Sequence, residues 1–216
     1  MCRFLSGIGF HDGSIASLPE YTNSHEDLIT YLGLRDKGAL AGRFVRWEFM
    51  PADEKDFGNP DAYKLTIDED RTPDWCTEKL QAKYAAKAKA MIQKMIVSDK
   101  RLLLLGGCHI LVKTAHVETI KNATIAAMLG SARIDSMWGS ARIDRMGGSA
   151  RIDSMGDSAR IDHMWGSARI DRMWGFARID RMGDSARIDR MWDSAEVGLD
   201  ERPTAEKEAN PVNLAK

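Results

Sequence analysis

From Ser131 to Asp193 the chain writes one nine-residue phrase seven times, as in SARIDHMWG at 158–166 and SARIDRMWG at 167–175. A fixed period has to be met by a fixed structural unit, so this feature restricts the fold more than any other. The second, fourth and seventh columns are Ala, Ile and Met in all seven copies, and a core has to be built from those three rows. A helix fails this test. Nine residues make about two and a half helical turns, so successive repeats would send their apolar residues to opposite sides. Recurrent interior glycine would cost such a helix a further ~1 kcal/mol each. A strand satisfies the pattern. Ala-Arg-Ile-Asp alternates apolar and polar, and the Gly or Asp of column nine, followed by Ser, is turn chemistry.

These columns predict a parallel β-solenoid. One repeat per coil would be too narrow to hold Ile and Met rows back to back. Two repeats, 18 residues, give two facing sides whose identical side chains stack about 4.8 Å apart. Three repeats, 27 residues, would give a triangular section and stay open as the second choice. The repeat frays at both ends. Asn122–Gly130 (NATIAAMLG) is degenerate, residues 115–120 are a partial unit, and residues 194–200 are decayed. The chain therefore reads as an α+β head over 1–112, a β-solenoid over 113–200 and a flexible tail over 201–216. Solenoid ends are unpaired strand edges. The head is expected to cap one of them and the tail to blunt the other.

In the head, His11-Asp12-Gly13 is a hairpin signal between CRFLSGIGF and GSIASLP. Ser24 and Asp27 are spaced as a capping box for a short helix. FVRWEFM alternates Val45, Trp47 and Phe49 against Arg46 and Glu48, and AYKLTID does the same with Tyr63, Leu65 and Ile67, so both predict half-buried strands. A long helix is expected over about 75–98, capped by Asp74, with Leu80, Tyr84, Ala88, Met91, Ile92 and Met95 as its apolar stripe. Lys79, Lys83 and Lys87 form a basic ridge on that helix, best read as a solvated face. RLLLLGGCHILV predicts a buried strand, a tight turn at Gly106-Gly107 and a second strand.

Formal net charge is -1, so the molecule's overall field steers toward neither nucleic acid nor acidic membranes. There is no secretory signal and no apolar run near membrane-spanning length. Three scattered cysteines, Cys2, Cys76 and Cys108, fit reduced thiols and a cytoplasmic location.

Catalytic and metal signatures are weak. Cys108 and His109 are adjacent on a strand and so face opposite sides, which leaves a core thiol and a surface or capping imidazole rather than a dyad. The five histidines (His11, His25, His109, His116, His163) and three cysteines show no metal-ligand spacing. No phosphate-cradling glycine motif occurs. Asp recurs without the paired glycines of calcium-binding nonapeptides, and Arg precedes it by two residues. The reading is a non-enzyme without cofactor or metal.

The outward columns carry what specificity there is. Columns three and five are Arg and Asp in all seven copies, a self-neutralising face that disfavours nucleic acid. Columns six and eight vary. Column six holds Arg145, Arg172, Arg181 and Arg190 where other copies have Ser136, Ser154 or His163. Column eight holds Trp138, Trp165, Trp174 and Trp192 where other copies have Gly147, Gly156 or Gly183. An outward Trp either lies across neighbouring coils or forms an aromatic, Arg-rich binding or dimerisation strip. Those eight Trp and Arg residues are the candidate partner-binding set.

The pattern Ala-x-Ile-x-x-Met-x-[Gly/Asp]-Ser, as at 159–167, resembles the nonapeptide-repeat β-solenoids of phages and bacteria. The layout of small head, Gly106-Gly107-Cys108 junction and repeats resembles a group of phage- and prophage-type proteins. Pentapeptide-repeat solenoids are a more distant analogy. The resemblance implies architecture and carries no catalytic residue. It also implies a host-directed role, such as inhibiting a host defence or nucleic-acid enzyme. The functional expectation is thus a protein-interaction protein whose partner is a host protein or a second copy. A structural or self-associating rod and an enzyme with its site in the head are the alternatives.

Overall fold

The structure is a computed structural model, and it describes residues 5–35 and 42–212. Cys2 lies outside the described residues. The chain divides after Met95 into two compact units.

The first unit is α+β. Strands β1 (Leu5–Phe10), β2 (Ile15–Ala16), β3 (Phe44–Pro51) and β4 (Tyr63–Ile67) form an antiparallel sheet in the order β2-β1-β3-β4. The hairpin signal is met: Gly13 has φ 85°, and Asp12 Oδ1 accepts from the Ser14 amide at 2.8 Å. Helix α1 (His25–Tyr31) is capped by Ser24, whose hydroxyl accepts from the Asp27 amide. On β3, Val45, Trp47 and Phe49 are buried as the alternation requires. Helix α2 runs over Glu78–Met95, shorter than the expected 75–98. Its start is displaced because Pro73–Cys76 closes a turn of its own, with the Cys76 amide bonding the Pro73 carbonyl at 2.9 Å. Its end is displaced because Ile96 enters a strand. The α2 stripe buries Leu80, Tyr84, Ala88, Ile92 and Met95. Of the basic ridge, Lys87 donates to the Gly13 carbonyl at 2.8 Å.

The second unit is a parallel β-solenoid. Its strands are β5 (Ile96–Val97), β6 (Lys100–Leu105), β7 (Cys108–Leu111), β8 (His116–Lys121), β9 (Thr124–Met128), β10 (Arg133–Trp138), β11 (Arg142–Met146), β12 (Arg151–Met155), β13 (Arg160–Met164), β14 (Arg169–Met173), β15 (Arg178–Met182), β16 (Arg187–Met191) and β17 (Glu196–Asp200). Even-numbered strands from β6 to β16 make a six-stranded sheet, and odd-numbered strands from β5 to β17 a seven-stranded one. Ile134 pairs with Ile152 and Ile152 with Ile170, an offset of 18 residues. Two repeats therefore make each coil, and the triangular alternative does not occur. Between the sheets, every Ala, Ile and Met of the seven close copies is at most 5% exposed.

The solenoid begins well before the repeat is recognisable, at Ile96 rather than 113. Its early coils are shorter, with offsets of 14 (Ile96 to Ile110), 16 (Lys100 to His116) and 17 (His116 to Arg133) before 18 is reached. RLLLL and CHIL are both strands, as expected, yet they do not pair with each other, because the chain turns a solenoid corner at Gly106-Gly107 and enters the opposite sheet. β6 is not buried either. Leu104 points inward, while Leu102, Leu103 and Leu105 are 69%, 49% and 64% exposed.

Column nine is the corner. Gly130, Gly139, Gly148, Gly166 and Gly175 have φ between 65° and 71°, and Asp157, Asp184 and Asp193 lie between 52° and 58°. This left-handed conformation is open to Gly at no steric cost and to Asn or Asp at a modest one. The carboxylates offset that cost with a bond to the coil below: Asp157 accepts from the Gly139 amide at 3.1 Å and Asp184 from the Gly166 amide at 3.0 Å.

The stretch expected to be a flexible tail opens with a buried arginine that bonds back to the last coil. Arg202 is 3% exposed. Its guanidinium pairs with both Asp200 oxygens, at 3.0 and 2.8 Å, and donates to the carbonyls of Ala186 (3.3 Å) and Asn210 (2.8 Å). Helix α3 (Thr204–Ala209) follows, and Val212 packs on the solenoid core. Composition alone hides this cap, because one buried arginine supplies the contacts.

Gly148→Ala should destabilise the solenoid by about 1–2 kcal/mol in chemical denaturation, since it adds left-handed strain and a Cβ 2.9 Å from the Gly130 carbonyl oxygen. Gly148→Asp should lose less, because its carboxylate can reach the amide below. At the cap, Arg202→Met should cost about 3 kcal/mol by stranding Asp200. Hydrogen bonds from Arg202 hold the Asp200 carboxyl below its ordinary value of 3.8. A depressed carboxyl stabilises the fold above that value and loses its contribution as pH falls through the folded pKa. The stability gap between wild type and Asp200→Asn, measured by melting against pH, should therefore be full at neutral pH and close below 3.8.

Candidate interaction surface

Both outer faces carry an ion-pair ladder. Each Arg of column three except Arg187, in the last coil, is in contact with the Asp two residues on and with an acidic residue of the next coil. Arg133 meets Asp135 and Asp153, Arg151 meets Asp153 and Asp171, and Arg169 meets Asp171 and Asp189. The other sheet does the same from Arg142 to Glu196. His116 stands in for Arg at the start of one ladder and reaches Asp135 at 2.9 Å. Burial pushes Asp135 up, but hydrogen bonds from His116 and Arg133, and their charge, hold it below the usual carboxylate range. Asp144 goes the other way, because burial outweighs the attraction of Arg142. The ladder neutralises itself and leaves columns six and eight as the variable surface.

The 18-residue coil sorts the candidate residues by parity. Trp138, Trp174 and Trp192 share one edge. Trp138 and Trp174 meet edge to face at 5.3 Å between ring centroids, and Trp174 and Trp192 stack at 5.9 Å with 10° between planes. Arg172 and Arg190 are register neighbours on the adjoining sheet face, exposed, two residues before Trp174 and Trp192. Trp165, Arg145 and Arg181 belong to the other sheet and the opposite edge, so the structure does not bring all eight together.

The coil-covering reading holds for two tryptophans. A Cβ on Gly147 would meet the Trp165 ring at 2.5 Å, and one on Gly156 would meet the Trp174 ring at 2.5 Å. Each indole lies on the bare backbone of the glycine one coil below. Trp192 instead stacks on Trp174. All four tryptophans remain half-exposed.

Arg172 and Arg190, with Asp153, Asp171 and Asp189, line a shallow groove of about 390 Å³. Those three carboxylates are engaged by the ladder. Neither Arg172 nor Arg190 has an ion-pair partner among the described residues. The groove thus carries two surplus positive charges beside two stacked indoles.

Elsewhere, Cys108 is buried and His109 Nε2 lies 3.1 Å from the Gly106 carbonyl, so the imidazole caps the corner. His25, which the sequence does not mark out, is buried, with Nε2 3.1 Å from the Trp47 carbonyl and Nδ1 3.2 Å from Asp68. One ring nitrogen ties α1 to β3 and the other ties it to Asp68, just past the end of β4. Among the described residues no helix is long and apolar enough to cross a membrane.

No family model, curated protein or solved structure matches this chain significantly. What its own structure defines is a small α+β unit followed by a parallel β-solenoid with two nonapeptides per coil.

Trp174 and Trp192 should differ on substitution. Trp174→Ser uncovers Gly156 and unstacks Trp192, so thermal unfolding should show the larger loss, about 2–3 kcal/mol. Trp192→Ser removes only one stacking partner and should cost about 1 kcal/mol.

Proposed function

We propose that this chain is a non-catalytic protein-interaction protein, and that the Arg172, Arg190, Trp174 and Trp192 surface of its solenoid holds an acidic, aromatic-bearing segment of a partner. The observation that carries this reading is surplus. On the same edge and face, the preceding coil has Ser154 and Gly156 in columns six and eight, and its strands pair in the same register. The coil therefore does not require Arg172, Arg190 and Trp192. Trp and Arg are the residue types that dominate binding hot spots. The neighbouring ladder is neutral, so the two unpaired guanidinium groups set the local charge. A host-directed role in a host cytoplasm, inhibiting a defence or nucleic-acid enzyme, is the form of this reading that the phage-type resemblance favours.

The test is affinity capture from lysate with the wild-type chain beside an Arg172→Ser, Arg190→Ser, Trp192→Gly triple variant. All three replacements are residues that other copies carry in those columns, so the solenoid should melt within a few degrees of wild type. The expected result is a salt-sensitive partner held by wild type and lost from the variant. Identical capture by both proteins would count against this surface.

A further inference from the structure

On the edge that returns the seven-stranded sheet to the six-stranded one, column eight runs Gly147, Trp165, Gly183, Glu201. Their amides bond the Met128, Met146, Met164 and Met182 carbonyls in turn. The first pair is filled, with the Trp165 indole on Gly147. The opposite edge repeats the arrangement with Trp174 on Gly156. The fold thus shows twice what a column-eight glycine accepts: a flat aromatic ring from the position one coil on. Gly183 has the same place in its coil, but the residue one coil on is Glu201. Nothing lies within 4 Å of where a Gly183 Cβ would stand. Gly147 and Gly156 are buried, and Gly183 is half-exposed. It is an aromatic seat that the chain does not cover.

The matching ring is on the same coil. Column one is Ser in six of the seven close copies and Phe only at Phe176. Phe176 is 73% exposed. Its amide still bonds the Asp157 carbonyl at 2.7 Å, as serine amides do at equivalent corners, so the backbone makes no demand for Phe. Phe176 lies at the corner entering β15, and Gly183 at the corner leaving it. Ring and seat therefore occupy opposite edges of one coil, at nearly one height along the solenoid axis.

We propose that Phe176 of one copy docks on Gly183 of a second copy, so that solenoids associate side by side through a knob and a seat. Because both lie on one coil, a sideways translation brings them together without a shift along the axis. The contact is heterologous: each copy keeps a free ring on one edge and a free seat on the other, so rows extend rather than close. This site uses neither Arg172 nor Arg190 and stands independently of the partner surface above.

Sedimentation velocity over a broad concentration range tests the idea on the full chain. Wild type should associate reversibly. Phe176→Ser removes the knob with the residue that column one otherwise carries, and Glu201→Trp fills the seat from within the chain. Each should weaken association about tenfold or more. Glu201→Trp should also raise the melting temperature, which shows that the indole has taken the seat. Mixing the two variants decides the matter. Phe176→Ser keeps a seat and Glu201→Trp keeps a knob, so the mixture should form a one-to-one dimer that grows no further. A wild type that stays monomeric, a single variant that associates like wild type, an unchanged melting temperature for Glu201→Trp, or a mixture that stays monomeric would each overturn the proposal.

Discussion

The solenoid depends on in-register stacking of parallel strands. Backbone hydrogen bonds on the sheets, and many at the corners, run from coil to coil, so a coil has to contain the same number of residues as its neighbour. From Thr124 onward that number is 18. Once it holds, Ile stacks on Ile and Met on Met, and the same rotamers serve every coil. The left-handed corner at column nine keeps the count, because it reverses the chain without an added residue. Where the number differs, as in the coils built from β5 to β8, the Ile and Met rows give way to irregular apolar residues. A bulge between His109 and Ile110 absorbs the mismatch.

The same stacking shapes the surface. Identical charges at strand spacing repel, and Arg over Arg would be unfavourable alone. Placing Asp two residues away turns the repulsion into a ladder in which every guanidinium but the last spans two coils. Single exposed pairs of this kind contribute at most about 1 kcal/mol. Their larger effect is to leave no net charge on columns three and five. Deviations in the other columns then stand out as local chemistry: arginines without an ion-pair partner, three clustered indoles, an exposed phenylalanine and a bare glycine. Repeats hold the frame, and the departures from repetition are the places where recognition can reside.

Much of this was legible in the nine columns. Period, alternation and turn residues excluded a helix and pointed to two repeats per coil. The grouping of tryptophans was also within reach. Positions 138, 174 and 192 differ by multiples of 18, whereas 165 does not share their parity. The start of the solenoid at Ile96 was hidden because offsets of 14 to 17 residues erase the nine-residue rhythm. The cap was hidden because Arg202 occurs once, in a polar stretch whose composition suggests mobility. The covering of Gly147 and Gly156 needed coordinates, since only the direction in which an indole leans shows which glycine it protects. His25 was hidden for a similar reason: its partners Trp47, on β3, and Asp68, just past β4, are distant in sequence.

The most direct measurement of the account is the spacing of equivalent corners. Nitroxide labels on cysteines introduced at 149 and 167 sit one coil apart, so their spectra should show the strong exchange broadening expected for strands about 4.8 Å apart. Labels at 149 and 158 sit on opposite edges and should show none. Broadening for the pair 149 and 158, or for 149 and 176 but not for 149 and 167, would contradict a coil of two nonapeptides.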